Sequence, residues 1–149
     1  MKQWMAGGAF AILFLFVKVA MAQTATPVGL WKTIDDATGK PRSYVRIEEV
    51  NGELQGAVEK IFPFPGDDPE NLCDKCKGER KNKPVVGMTI LWGLKDEGDV
   101  WKGGEILDPD NGKTYRCKMT VSEDGRELDV RGYIGISWIG RTQTWLRVE

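Results

Sequence analysis

Turn signals that recur at short intervals constrain this chain more than any other feature. Asn51-Gly52 and Asp124-Gly125 are two-residue reversals whose members tolerate a positive φ, and residues 108–112 read Asp-Pro-Asp-Asn-Gly. Between the turns, apolar and polar side chains alternate, as they do over 113–121. The pattern predicts about eight short strands in hairpin order, at residues 28–34, 42–50, 53–62, 87–94, 99–107, 113–121, 126–134 and 142–148.

Eight strands in hairpin order favour one closed architecture. Antiparallel strands that follow one another can close into an up-and-down barrel with no open edge, so the predicted fold class is an all-β barrel. A β-sandwich is the alternative. Glycines inside the predicted strands, such as Gly103, Gly104 and Gly132, mark the bends and close backbone approaches that a barrel needs. The pattern leaves open whether side chains fill the interior or a cavity remains.

Residues 1–22 are predicted to be a secretory signal peptide. An apolar stretch runs from Ala9 to Val17, and Ala20-Met21-Ala22 forms an Ala-x-Ala cleavage site. The stretch is shorter than the roughly 20 apolar residues that a transmembrane helix requires. We therefore expect a single barrel domain at 23–149 that is exported, periplasmic or secreted, with no membrane insertion after cleavage.

Composition removes several function classes. The 149 residues include no histidine, which excludes Ser-His-Asp catalysis and histidine-held zinc or haem. A net charge of −1 argues against a nucleic-acid partner, because binding the phosphate backbone requires a basic face. No cofactor is expected. Enzyme activity stays as an alternative only through a thiol or through strand carboxylates, namely Glu48, Glu59, Glu105, Asp108 and Asp129.

A long loop at 63–84 interrupts the strand pattern and carries two of the three cysteines. Cys73 and Cys76 lie in this loop, and Cys117 lies on the predicted sixth strand. Export favours one structural disulfide and one free thiol, but the sequence does not choose between Cys73–Cys76 and a bond from either residue to Cys117. A redox site would need a helix N-terminus, and zinc would need about four ligands, so no metal is expected.

Several motifs together resemble a known bacterial family. The segments 101–109, 131–135 and 140–147, with their Trp, Gly and Arg residues, resemble the signature blocks of the domain of unknown function 2147 family of small secreted proteins. Gly29-Leu30-Trp31 is similar to the Gly-x-Trp signature of lipocalin-type calycin barrels. The resemblance implies a lipocalin-like barrel and an exported protein. It implies no activity and no catalytic residue.

The resemblance also implies structural roles at the two ends of the domain. In such barrels the tryptophan that follows Gly29 closes one end beneath a basic side chain from the last strand. Trp31 is therefore expected to be buried against an arginine, with Arg147 preferred over Arg141.

The function predicted from these observations is a binding module for a small, mostly apolar molecule. The alternative is an interaction protein that binds an envelope partner through its outer surface, using the loop 63–84 or the apolar stretch 133–140. Alternation predicts that Glu105 points the same way as Trp101. The candidate ligand-binding residues are Trp101, Glu105, Tyr115, Arg131 and Tyr133.

Overall fold

Eight antiparallel strands close into one barrel. The structure is a computed structural model, and it describes residues 25–136 and 138–149. The predicted signal peptide at 1–22 lies outside these residues. The strands are β1 (Gly29–Ile34), β2 (Pro41–Val50), β3 (Glu53–Ile61), β4 (Thr89–Asp96), β5 (Trp101–Asp108), β6 (Lys113–Val121), β7 (Glu127–Tyr133) and β8 (Gly140–Arg147).

Each strand pairs with the next, and β8 returns to β1. The closing register places Trp31 opposite Arg147 and Lys32 opposite Leu146. The predicted barrel is therefore confirmed, and the sandwich alternative is excluded. Over the described residues the helical structure is a single 3₁₀ turn at Gly78–Arg80, and none is long or apolar enough to cross a bilayer.

One end of the barrel is filled by its own side chains. This end carries the β2–β3, β4–β5 and β6–β7 turns. Here large apolar side chains pack against one another and are withdrawn from water. The completely buried side chains include Trp31, Ile47, Leu54, Leu91, Leu94, Met119 and Leu128.

Trp31 and Arg147 seal the filled end. Trp31 is 0% exposed, and the guanidinium carbon of Arg147 lies 4.2 Å from the centre of its ring. Arg147 Nε donates to the carbonyl of Gly125 at 2.5 Å, and Nη1 donates to that of Val28 at 2.9 Å. Nη2 donates to the carbonyl of Thr26. Arg147 therefore ties the chain preceding β1 and the β6–β7 turn to the buried ring.

The long loop between β3 and β4 is held together by a short disulfide. Cys73 and Cys76 are bonded, with their Cα atoms 5.3 Å apart, and both side chains are buried. A β-bridge joins Leu72 to Pro84, which closes the base of the loop. The pairing that the sequence left open is therefore Cys73–Cys76, and Cys117 is the free thiol.

Cys117 is expected to resist alkylation while the barrel is folded. It points inward from β6 and is 0% exposed, and burial raises the pKa of its thiol to about 12. Only the thiolate reacts, so at pH 8 the folded protein offers almost no nucleophile. Thiol counting without reductant should find one reactive group per chain in denaturant and none in buffer. Thr120→Cys, an exposed position on the same strand, should react at once. Prompt native labelling of the parent protein would contradict this expectation.

A β-bulge reverses the alternation in β5. Gly103 has a φ of 81°, and the register with β6 shifts between Trp101 and Gly104. A bulge adds one residue to its strand, so the side chains beyond it exchange faces. Trp101 and Gly104 consequently share the inner face, while Glu105 is exposed on the outer face. The prediction that Glu105 points the same way as Trp101 was therefore wrong.

A cup at the open end of the barrel

The opposite end of the barrel holds a cavity of about 650 Å³. It opens among the β1–β2, β5–β6 and β7–β8 turns, and its size falls within the range of small-molecule sites, about 300–1,000 Å³. We call this cavity the cup. Apolar and aromatic side chains form much of its wall, among them Ile90, Ile106, Tyr115, Val130, Tyr133 and Trp145.

The floor of the cup is partly polar. Trp145, which is 2% exposed, lines the cup, and its Nε1 donates to Gln143 Oε1 at 3.4 Å. The hydroxyls of Thr33 and Ser43 lie 2.7 Å apart in a hydrogen bond. All four residues line the cavity, so an apolar wall ends on hydroxyl and amide groups. Such a surface suits a ligand with an apolar body and a hydrogen-bonding end.

Gly132 keeps the wall of the cup open. A Cβ at this position would lie 3.5 Å from Tyr115 Cβ and 3.6 Å from Ile106 Cγ2, both in residues that line the cup. These are ordinary contact distances, so a small side chain would fit there. A larger one would extend into the cavity. The volume of the cup therefore depends on a residue without a side chain at this point of β7.

The rim of the cup is charged and mixed in sign. Thr38 donates to Asp35 through its hydroxyl at 2.8 Å and its backbone N–H at 2.9 Å, which lowers the pKa of that carboxyl. Arg141 Nη1 pairs with Asp36 Oδ2 at 3.1 Å. Carboxylates outnumber guanidinium groups at the rim: the lining includes Asp35, Asp36, Asp108 and Asp110 against Arg42 and Arg141.

Arg42 joins the rim to the long loop. Its Nη1 contacts Asp67 Oδ2 at 2.5 Å, its Nη2 contacts Asp110 Oδ1 at 3.3 Å, and its guanidinium lies 4.8 Å from the ring centre of Phe64. The hydrogen bond from Arg42 lowers the pKa of the Asp67 carboxyl, and the same bond raises the pKa of Arg42. Sequence reasoning missed Arg42, because its partners are 25 and 68 positions away.

The structure brings together two of the five candidate ligand-binding residues. Tyr115 and Tyr133 line the cup. Trp101 is half-buried and packs against the core at the start of β5. Glu105 is exposed on the outer face, and Arg131 Nη1 donates to Thr142 Oγ1 at 3.0 Å in an exposed position. The latter three lie outside the cup.

The five candidate strand carboxylates are also dispersed. Glu48, Glu59, Glu105 and Asp129 are exposed, whereas Asp108 lines the cup. Glu59 is paired with an arginine of β2 at 2.9 Å, and Asp129 accepts a threonine hydroxyl of β8 at 2.7 Å. Asp108 thus has none of the other four facing it across the cup. Within the described parts of the chain, no three His, Cys, Asp or Glu side chains are placed to hold a metal ion.

Comparison with known proteins agrees with the barrel. The chain is similar to a solved structure described as protein HP1028 from the human pathogen Helicobacter pylori, said to belong to the lipocalin family. The two share 22% sequence identity over 85% of each chain, with a TM-score of 0.72, which shows the fold. None of the curated proteins matches the chain significantly. A family model described as "uncharacterized protein conserved in bacteria" matches residues 29–147, and the chain therefore belongs to this family, DUF2147.

Proposed function

We propose that this protein is an exported binding module that holds one small, mostly apolar molecule in the cup. The observation that carries the proposal is the division of the barrel interior. Large side chains fill one end completely, yet the other end keeps about 650 Å³ open to the outside. An open apolar surface in contact with water is unfavourable, so a cavity of this kind is stabilised when an apolar ligand covers it.

The polar groups of the cup define the ligand further. Tyr115 and Tyr133 add aromatic residues to the lining, and Thr33, Ser43 and Gln143 add polar ones. The two hydroxyls bond each other, and the Gln143 amide accepts from Trp145 and donates to Asp36, so a ligand would share or replace these hydrogen bonds. The ligand we propose therefore has an apolar body that contacts the aromatic and aliphatic lining and a hydrogen-bonding group that meets these polar side chains. The rim carboxylates disfavour a ligand whose outer end is an anion, because like charges repel at short range.

Filling the cup should abolish ligand binding. Gly132→Phe places a ring in the cavity, and we expect the affinity for N-phenyl-1-naphthylamine, a neutral apolar fluorescent probe, to fall by at least about tenfold. The measurement is a fluorescence titration of the exported protein. The thermal midpoint of the variant is recorded in parallel, to show that the barrel is folded.

Thr120→Phe is the matched control for this test. It adds the same ring to the exposed face of the neighbouring strand β6. Its affinity for the probe should stay within about twofold of the parent. Equal probe binding by the parent and a folded Gly132→Phe protein would show that the cup is not the binding site.

A further inference from the structure

The β7–β8 turn carries the most concentrated exposed apolar surface of the described chain. Seven large hydrophobic side chains are exposed among the described residues, and four of them lie in this one turn. Their exposed fractions are 64% for Ile134, 48% for Ile136, 76% for Trp138 and 53% for Ile139. We call these four side chains the apolar tip. Apolar groups gathered in this way on a soluble domain commonly mark a contact surface.

The backbone of the apolar tip is hydrogen-bonded within itself. The N–H of Ile134 donates to the carbonyl of Ile139 at 3.2 Å, and the N–H of Ile139 donates to the carbonyl of Ile136 at 3.0 Å. The sequence has no charged residue between Tyr133 and Gly140. The tip can therefore move from water into an apolar environment without burying a charged side chain. The N–H groups of Ile134 and Ile139 would stay hydrogen-bonded there.

The apolar tip is continuous with the cup. Ile134 and Ile139 both line the cavity as well as being exposed at its mouth. A surface that covers the tip would therefore also face the opening of the cup. Apolar contact then extends without interruption from the outer surface into the barrel.

We propose that the apolar tip docks the open end of the barrel on the surface of a lipid bilayer. The contact is peripheral and involves no membrane-spanning segment. Four such side chains present roughly 500 Å², which is less than the roughly 800 Å² that each partner contributes to a stable protein interface. Shallow insertion into a bilayer needs only a few apolar groups. Tryptophan is the residue that prefers the headgroup region, because its ring is apolar and its N–H is polar.

The charges around the tip indicate which lipids it takes. Two arginines lie near the tip: Arg141, at the start of β8, is paired with Asp36, and Arg116 is exposed on β6 opposite Tyr133. Asp35 and Asp108 add further negative charge to the same rim, so carboxylates balance or exceed these cations. This neighbourhood offers no net positive field for anionic headgroups. The apolar contact therefore drives docking, and neutral lipids suffice.

Vesicle binding tests the proposal directly. The exported protein is mixed with phosphatidylcholine vesicles and sedimented. Intact-mass measurement first verifies that the parent and every variant have the same N-terminus. The parent should bind these vesicles, and a double variant Ile136→Ser/Trp138→Ser should partition at least about tenfold less. The control Val50→Ser/Val86→Ser, at the two exposed valines remote from the tip, should stay within about twofold of the parent.

Other outcomes would overturn the proposal. Equal sedimentation of the parent and the tip variant would do so, as would failure of the parent to bind at all. Binding that requires phosphatidylglycerol and disappears in high salt would assign the contact to charge instead of the tip. Recovery of one stoichiometric polypeptide that depends on Trp138, without vesicle binding, would assign the tip to a protein partner. Gly132→Phe, which fills the cup, should bind vesicles like the parent, so failure of the ligand proposal leaves this test intact.

Discussion

Trp31→Ala should lower the free energy of unfolding by about 3–5 kcal/mol, the loss typical of a large aromatic side chain removed from a core. Trp31 is completely buried, and its Nε1 donates to the carbonyl of Pro27 at 2.7 Å. The substitution leaves a cavity beneath Arg147 and removes the ring on which that guanidinium stacks. Urea denaturation followed by far-ultraviolet circular dichroism measures the effect.

Trp138→Ala is the matched control for this substitution. Trp138 is 76% exposed at the apolar tip, so the same change there should alter the free energy of unfolding by no more than about 0.5 kcal/mol. A loss below about 1 kcal/mol for Trp31→Ala would mean that Trp31 does not close the barrel. The difference in unfolding free energy between the two variants measures the effect of burial, because both variants lose the same indole ring.

Gly104→Ala should destabilise the barrel by about 3 kcal/mol or more, because the added methyl group meets backbone instead of a side chain that can rotate away. A Cβ at this position would lie 2.3 Å from the carbonyl oxygen of Trp92 and 2.6 Å from the backbone nitrogen of Leu94. Both atoms belong to β4, the neighbouring strand. Relief of the clash requires β4 and β5 to move apart. Thermal and urea denaturation of the purified variant measure the loss.

Gly132→Ala controls for the loss of glycine itself. Gly132 also lies within a strand and faces the interior, but its nearest neighbours would be 3.5 Å or more from a new Cβ. Alanine there should be neutral or slightly stabilising, because it restricts the unfolded chain. If Gly104→Ala unfolds within about 1 kcal/mol of the parent, the close approach of β4 to β5 does not constrain this position.

The strands were predictable because their determinants are local. Asn51 and Gly52 both adopt a positive φ in the β2–β3 turn, and Gly125 does so in the β6–β7 turn. The alternation between turns follows from the pleat. The same alternation placed Cys117 on the inner face, where the structure has it. The alternation failed at Glu105, because the bulge at Gly103 exchanges the inner and outer faces of the residues that follow it. The only trace of this bulge in the sequence is the glycine itself.

The cup was less predictable than the barrel around it. Tyr115 could be proposed from the alternation, because it is in phase with the buried Cys117 and Met119. Tyr133, which pairs with the exposed Arg116, could be proposed only from its place in the apolar stretch 133–140. Arg42 could not, since its role depends on contacts with Asp67 and Asp110 that form only when the chain has folded. Whether side chains fill an interior depends on how volumes from all eight strands add up. A local sequence pattern does not give the total side-chain volume inside the barrel.

Native mass spectrometry of the protein purified from its own bacterium would show whether the cup holds a ligand. We expect the parent and Thr120→Phe to carry one small molecule per chain, and a folded Gly132→Phe protein to carry none. Both variants add the same ring, and they differ in where it lies: in the cup for Gly132→Phe and on the outer face of β6 for Thr120→Phe. A parent protein without any added mass, or a molecule that Gly132→Phe retains, would contradict the claim that the cup is a ligand-binding site.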